Sequence, residues 1–212
     1  MTRSPNRVYL VSCLQHFAPI PLRGTSDTLE NVIRNSDLLK YKDNKIEMKK
    51  QEKEYYKVIE AKLEELLRTK SDSFYLEITA NKKFSNKLKA EVNRNRDIIF
   101  HFLKEAAPDV TGFIKGRYSS DFIVLEIKKD VIKLDHLYQT KKYAHLFNSK
   151  FAFLVSLQPI PEEIKRLHRS THELLSFISY HNTFVLVHFD DKSNEFVEWY
   201  PENPFEKDWY WE

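Results

Sequence analysis

Glu126 and Lys128 stand two residues apart in the run Asp121–Lys128. Its alternation puts Phe122, Val124, Glu126 and Lys128 on one side and Ile123, Leu125 and Ile127 on the other. A carboxylate and an ammonium at the end of so apolar a strand cost several kcal/mol unless a metal, a partner or water compensates them. The preceding run starts at Pro108-Asp109, and a hairpin turning near Ser119 returns the start of the first strand to the end of the second, bringing Asp109 beside Glu126. Two carboxylates and the Ile127 backbone carbonyl make a hard oxygen set of the kind Mg²⁺ prefers, with positions left for water and phosphate. Lys128 alongside would orient or help deprotonate an attacking water and offset charge growing on phosphorus. Acid-x-Lys triplets also start at Asp43, Glu47, Glu60 and Glu163, but those fall in polar or helical patterns. Glu126 alone among them ends an apolar strand at hairpin distance from Pro-Asp.

These residues need a scaffold, and the periodicity supplies one. Upstream, Val8–Leu14 reads as a strand, Thr25–Lys40 as a helix, Glu47–Lys70 as an amphipathic helix of some six turns, and Phe74–Thr79 as a short strand. A helix is expected from about Ser85 to Ala106, ending before Pro108. Then come the hairpin Asp109–Lys115 and Asp121–Lys128, a helix from Asp135 to about Asn148, a buried strand Phe151–Ser156, a helix from Pro161 to about Phe177, and a strand Thr183–Phe189. This order implies an α/β domain with a mixed central sheet flanked by helices. Gln139 and Tyr143, four residues apart, share one face of the helix that follows the hairpin.

Pro108-Asp109 followed by Glu126-Ile127-Lys128, with Gln139 and Tyr143 on the next helix, resembles the PD-(D/E)xK nuclease superfamily, and the Gln-x-x-x-Tyr spacing resembles its RecB-like branch. The resemblance spans residues 91–156 and implies a restriction-endonuclease-like fold. It also implies a Mg²⁺- or Mn²⁺-dependent deoxyribonuclease in which Asp109, Glu126 and the Ile127 carbonyl hold the metal, Lys128 assists the water, and Gln139 and Tyr143 support the phosphate site. The expected helix before the hairpin lines up Phe84, Leu88, Glu91, Asn95, Ile98 and Phe102, with Glu91 interrupting an otherwise apolar seam. By resemblance Glu91 is a further metal ligand, direct or through water, with Glu105 and His101 as weaker candidates nearby.

Composition narrows the alternatives. Three glycines in 212 residues leave no Walker or dinucleotide fingerprint. A single cysteine, Cys13, excludes an internal disulfide or a Cys-rich zinc site and points to a reducing compartment, so a cytoplasmic protein is expected, nucleoid-associated if the cell has no nucleus. No apolar run approaches the roughly 20 residues of a membrane span. Charge is segregated: residues 1–170 hold 32 Lys/Arg against 22 Asp/Glu, while residues 171–212 hold 2 against 9. A basic body suits DNA, or RNA, because neutralised phosphates release counterions. Trp199, Trp209 and Trp211 all lie in the acidic end, which is expected to pack over the fold.

The organisation expected is a strand and helical elaboration over 1–80, the nuclease-like core over 81–190 and an acidic aromatic segment over 191–212. A homodimer or protein partner would use the N-terminal helices or the acidic tail. Two rivals predict different behaviour: a non-catalytic nucleic-acid-binding or assembly module would hold DNA equally well in chelator, and a helical scaffold over residues 25–106 would use the strands merely as a cap.

Overall fold

The computed structural model describes residues 54–117, 119–171, 173–176 and 182–211. The strand Val8–Leu14 and the helix Thr25–Lys40 lie outside the described residues, as does the start of the helix expected from Glu47. The remainder of that helix, α1 (54–68), leads into β1 (Phe74–Ile78). β2 (Val110–Lys115), β3 (Ser120–Lys128), β4 (Phe151–Ser156), β5 (Thr183–Asp190) and β6 (Glu195–Tyr200) complete a six-stranded mixed sheet in chain order. β1, β2 and β3 run antiparallel, β3, β4 and β5 parallel, and β6 returns antiparallel to β5. Parallel neighbours need long crossovers. One carries α4 (Leu134–Phe147) between β3 and β4, and the other carries α5 (Glu162–Ser170) between β4 and β5.

The period-2 pattern of the strands divides the core into two layers. Ile123, Leu125, Ile127, Phe151, Phe153, Val155, Val185 and Val187 face α1, which contributes Ile59, Leu63 and Leu67. Phe122, Val124, Ala152, Leu154, Phe184 and Leu186 face the other helices, including Leu137, Ala144 and Phe147 of α4. Burying a Leu or Phe of this kind is worth roughly 1.5–3 kcal/mol, so the stripe Leu137–Ala144–Phe147 fixes the rotation of α4 over the sheet. The helix ends at Asn148, which adopts the left-handed conformation at φ 50°. Gly112 lets β1 close on β2, because a Cβ there would lie 2.2 Å from the Tyr75 carbonyl oxygen.

The acidic aromatic end packs on the α1 side of the sheet. Trp211 stacks on Phe151 at 4.8 Å, and Lys62 and Lys70 of the α1 region pair with Glu195 and Asp208. Both β1 and β6 are hydrogen-bonded into the sheet, so boundaries at 80 and 190 would cut through it; α1, the strands and the acidic end form one body. Among the described residues no helix is long and apolar enough to cross a membrane.

The single helix expected over Ser85–Ala106 is instead broken into α2 (Asn86–Glu91), a 3₁₀ turn Arg94–Arg96 and α3 (Ile99–Phe102). Val92 turns extended, and the Asn93 side chain accepts from the Asn95 N–H, a local bond that competes with helix continuation. The break shifts the helical phase. Ile98 and Phe102 become 59% and 61% exposed, while Ile99 and Leu103 are buried. The expected seam from Phe84 to Phe102 therefore does not exist as one face.

Candidate active site

The β2–β3 register pairs Val110 with Leu125, so the next position along the ladder sets Asp109 opposite Glu126. Asp109 precedes β2 and is held by its own backbone: the N–H groups of Thr79 and Ala80 both donate to its carbonyl oxygen. The buried Thr79 hydroxyl donates to the Pro108 carbonyl at 2.7 Å, which leaves it an acceptor for the Thr111 hydroxyl at 2.8 Å. This strut joins β1 to β2 below the carboxylate. The Ile127 N–H then donates to Asp109 Oδ2 at 2.7 Å. A strand residue projects its N–H and C=O toward the same neighbour, so the Ile127 carbonyl also lies on the Asp109 side.

Glu126 is 3% exposed on the α4 face of β3. Its Oε1 accepts from Lys128 Nζ and from Gln139 Nε2, each at 2.7 Å. The Gln139 amide lies 3.3 Å from the Tyr143 hydroxyl, to which it also donates. The other carboxylate oxygen, Oε2, is buried without a hydrogen-bond partner among the described residues. Burial, followed by the charge of Asp109, raises the Glu126 carboxyl to about 8, against the opposing pull of Lys128. A buried carboxylate with one oxygen unpaired, facing a second carboxylate, is costly. The buried Tyr143 hydroxyl is likewise pushed above its ordinary value, by burial first.

Asp109, Glu126, Lys128, Gln139, Tyr143 and the Ile127 backbone thus converge, but Glu91 does not join them. Its carboxylate accepts two bonds from Lys115 Nζ, at 2.6 and 2.7 Å, and one from Ser120 Oγ at 2.5 Å. Those partners flank the hairpin turn, about 20 Å along the strands from Asp109 at roughly 3.3 Å per residue. The break at Val92 ends α2 beside the turn, and the bonds from Lys115 and Ser120 hold the Glu91 carboxyl below its usual range. Glu105 and His101 are exposed and bond to none of the converging residues.

Two site neighbours escaped the sequence pattern. His136, on the first turn of α4, accepts from the Lys133 N–H through Nδ1 at 3.2 Å, and burial followed by the charges of Lys128 and Lys133 lowers its pKa. Lys142 lies with Nζ 4.8 Å from the centre of the Tyr143 ring, and its charge bears on Glu126. Their i−3 and i+3 spacing from Gln139 is the one signal that would have found them.

Among the described residues no three His, Cys, Asp or Glu side chains converge. The hard donors are therefore two carboxylates and a carbonyl. Comparison of the chain with protein-family models, with curated proteins and with solved structures finds no match, so the site rests on its own geometry.

Proposed function

We propose that this chain is a divalent-metal-dependent phosphodiesterase acting on nucleic acid, with DNA as its substrate and RNA open to the same chemistry. The observation that carries the reading is the orphaned, buried Oε2 of Glu126, a residue set opposite Asp109 by the β2–β3 register and bound by Lys128 through its other oxygen. A well-placed cation relieves this arrangement, since it supplies a partner for Oε2 and further positive charge beside two carboxylates. Asp109, Glu126 and the Ile127 carbonyl would hold Mg²⁺ or Mn²⁺. So few protein donors suit Mg²⁺, which keeps several waters and takes substrate oxygens. When bound, such a cation polarises a phosphoryl oxygen and lowers the pKa of water.

The chain's own groups do the rest. Gln139 holds Glu126 by the oxygen that Lys128 also contacts, leaving Oε2 turned free of both. Tyr143 receives the second Gln139 N–H and fixes the amide. Lys128, with a side chain 21% exposed, has an ammonium that can reach an attacking water or a phosphate oxygen, orient it, and offset negative charge developing at phosphorus. Thr79 and Thr111 keep Asp109 in register.

The reading is tested with labelled linear, circular, single-stranded and branched DNAs, each in Mg²⁺, Mn²⁺ or chelator. Cleavage is expected in metal and not in chelator, and Asp109→Ala and Glu126→Ala are each expected to abolish it while circular dichroism reports a folded chain. Undiminished turnover in either folded variant overturns the assignment.

A further inference from the structure

The outer side of α4 carries Leu134 and Tyr138 one turn apart, 39% and 58% exposed, with Val131 in the preceding loop 47% exposed. Single exposed apolar residues are ordinary, but Leu134 and Tyr138 adjoin at i, i+4 on one helix face, with Val131 just upstream in the chain. Tyr55, Tyr75, Tyr143, Tyr200 and Tyr210 all engage their hydroxyls in hydrogen bonds. The Tyr138 side chain makes neither a hydrogen bond nor a ring contact among the described residues.

Leu134 and Tyr138 share α4 with Gln139 and Tyr143 of the candidate site. At 3.6 residues per turn, Gln139, Lys142 and Tyr138 follow one another across an arc of about 100°. Lys142 therefore stands between the exposed ring and the residues that hold Glu126. Its ammonium lies over the Tyr143 ring and forms no ion pair among the described residues, whereas its neighbour Lys141 is occupied by the Glu173 carbonyl. Residues 128–142 hold five lysines against two aspartates, which suits a polyanion.

We propose that Tyr138, Leu134 and Lys142 form a platform for unpaired nucleotides flanking the scissile phosphate, so that the substrate is nucleic acid with single-stranded character beside the cut. The proposal rests on the phosphodiesterase reading. In a duplex the base faces are covered by stacking, and a helix surface meets only backbone and groove edges. A free aromatic ring next to the site gains from a base only where that base is unstacked. Lys142 then takes the phosphate between the stacked base and the site.

The test uses the full chain in chelator, where binding is read without turnover. Fluorescence anisotropy is measured on a thymidine oligonucleotide containing one 2-aminopurine and on the matching blunt duplex, for wild type, Tyr138→Ala, Tyr138→Phe and Lys142→Gln. Tyr138→Ala is expected to weaken single-strand binding roughly tenfold and to abolish the quenching of 2-aminopurine, while Tyr138→Phe keeps both, because stacking needs the ring and not the hydroxyl. Lys142→Gln should weaken single-strand binding severalfold and lower the salt slope by about 0.7, the single-strand value for one phosphate contact. Duplex binding by Tyr138→Ala should stay within about twofold of wild type, as for a surface change away from the contact. Unchanged single-strand affinity and quenching in Tyr138→Ala, equal losses on single strand and duplex, or no single-strand binding by the wild type would each overturn the platform. Tyr138-dependent binding by a chain that never cuts would keep the platform and discard the phosphodiesterase. Cutting of single-stranded DNA that is indifferent to Tyr138→Ala would do the reverse.

Discussion

Replacing Glu126 with Gln should make the metal-free protein more stable and the metal-loaded protein inactive, an opposition that an ordinary buried hydrogen-bonding residue would not produce. The carboxyl is raised from 4.5 to about 8, by burial first and then by Asp109. Because its folded value exceeds its unfolded value, its contribution is fully present below about pH 4.5 and is lost as pH rises through about 8. At 1.36 kcal/mol per pKa unit the penalty near neutral pH is about 3 kcal/mol. That figure already includes the opposing pull of Lys128, so the neutral amide is expected to gain up to about 3 kcal/mol near neutral pH. In a body of this size that is a rise of up to roughly 6–12 °C in Tm. Thermal unfolding in chelator at about pH 5 and about pH 9 measures it: the variant's advantage should be near zero in acid and largest in alkali. Adding Mg²⁺ or Mn²⁺ should then stabilise the wild type and leave Glu126→Gln unmoved. A variant that melts below the wild type at alkaline pH, or a difference that does not change with pH, would refute the argument that Glu126 is a buried acid only partly compensated by Lys128.

Lys128→Ala should lower the cleavage rate by a factor on the order of 10² or more while retaining stabilisation by metal, separating it from Asp109→Ala, which should lose both; calorimetric metal titration and single-turnover rates distinguish them. Glu91→Gln should leave cleavage at the wild-type rate and reduce stability by about 0.2–1 kcal/mol, the range for a largely surface-located ion pair. That loss should be present above the unfolded value of 4.5 and fade as pH falls through the lower folded value, as followed by denaturant unfolding at several pH values. Duplex DNA affinity should fall with salt by about 0.9 log units per tenfold change for each phosphate contacted, whatever the sequence, and salt-insensitive binding would point to another ligand.

The candidate trio was legible in the sequence because it depends on local rules. Strand alternation puts Glu126 and Lys128 on one face whatever surrounds them, and a hairpin joining two runs of known length sets Asp109 opposite Glu126 by register. The i, i+4 spacing of Gln139 and Tyr143 is equally local, and their helix follows from its apolar stripe. What the sequence by itself determined, then, was the α/β class, the hairpin and the residues that one helix face or one strand face carries together. Where separate elements meet was decided only in three dimensions. The seam through Glu91 failed because an Asn side chain can bond its own backbone more favourably than it continues a helix, and the resulting change of phase turned Ile98 and Phe102 outward, while Glu91, at the end of α2, pairs with Lys115 and Ser120 at the far end of the hairpin. β1 and β6 joined the sheet because their neighbours had unpaired edges to offer, which no window of sequence displays. The unpaired oxygen of Glu126 is likewise a property of packing: α4, laid down on its Leu137–Ala144–Phe147 stripe, covers the carboxylate and brings Gln139 to one of its oxygens while leaving the other buried and without a donor among the described residues.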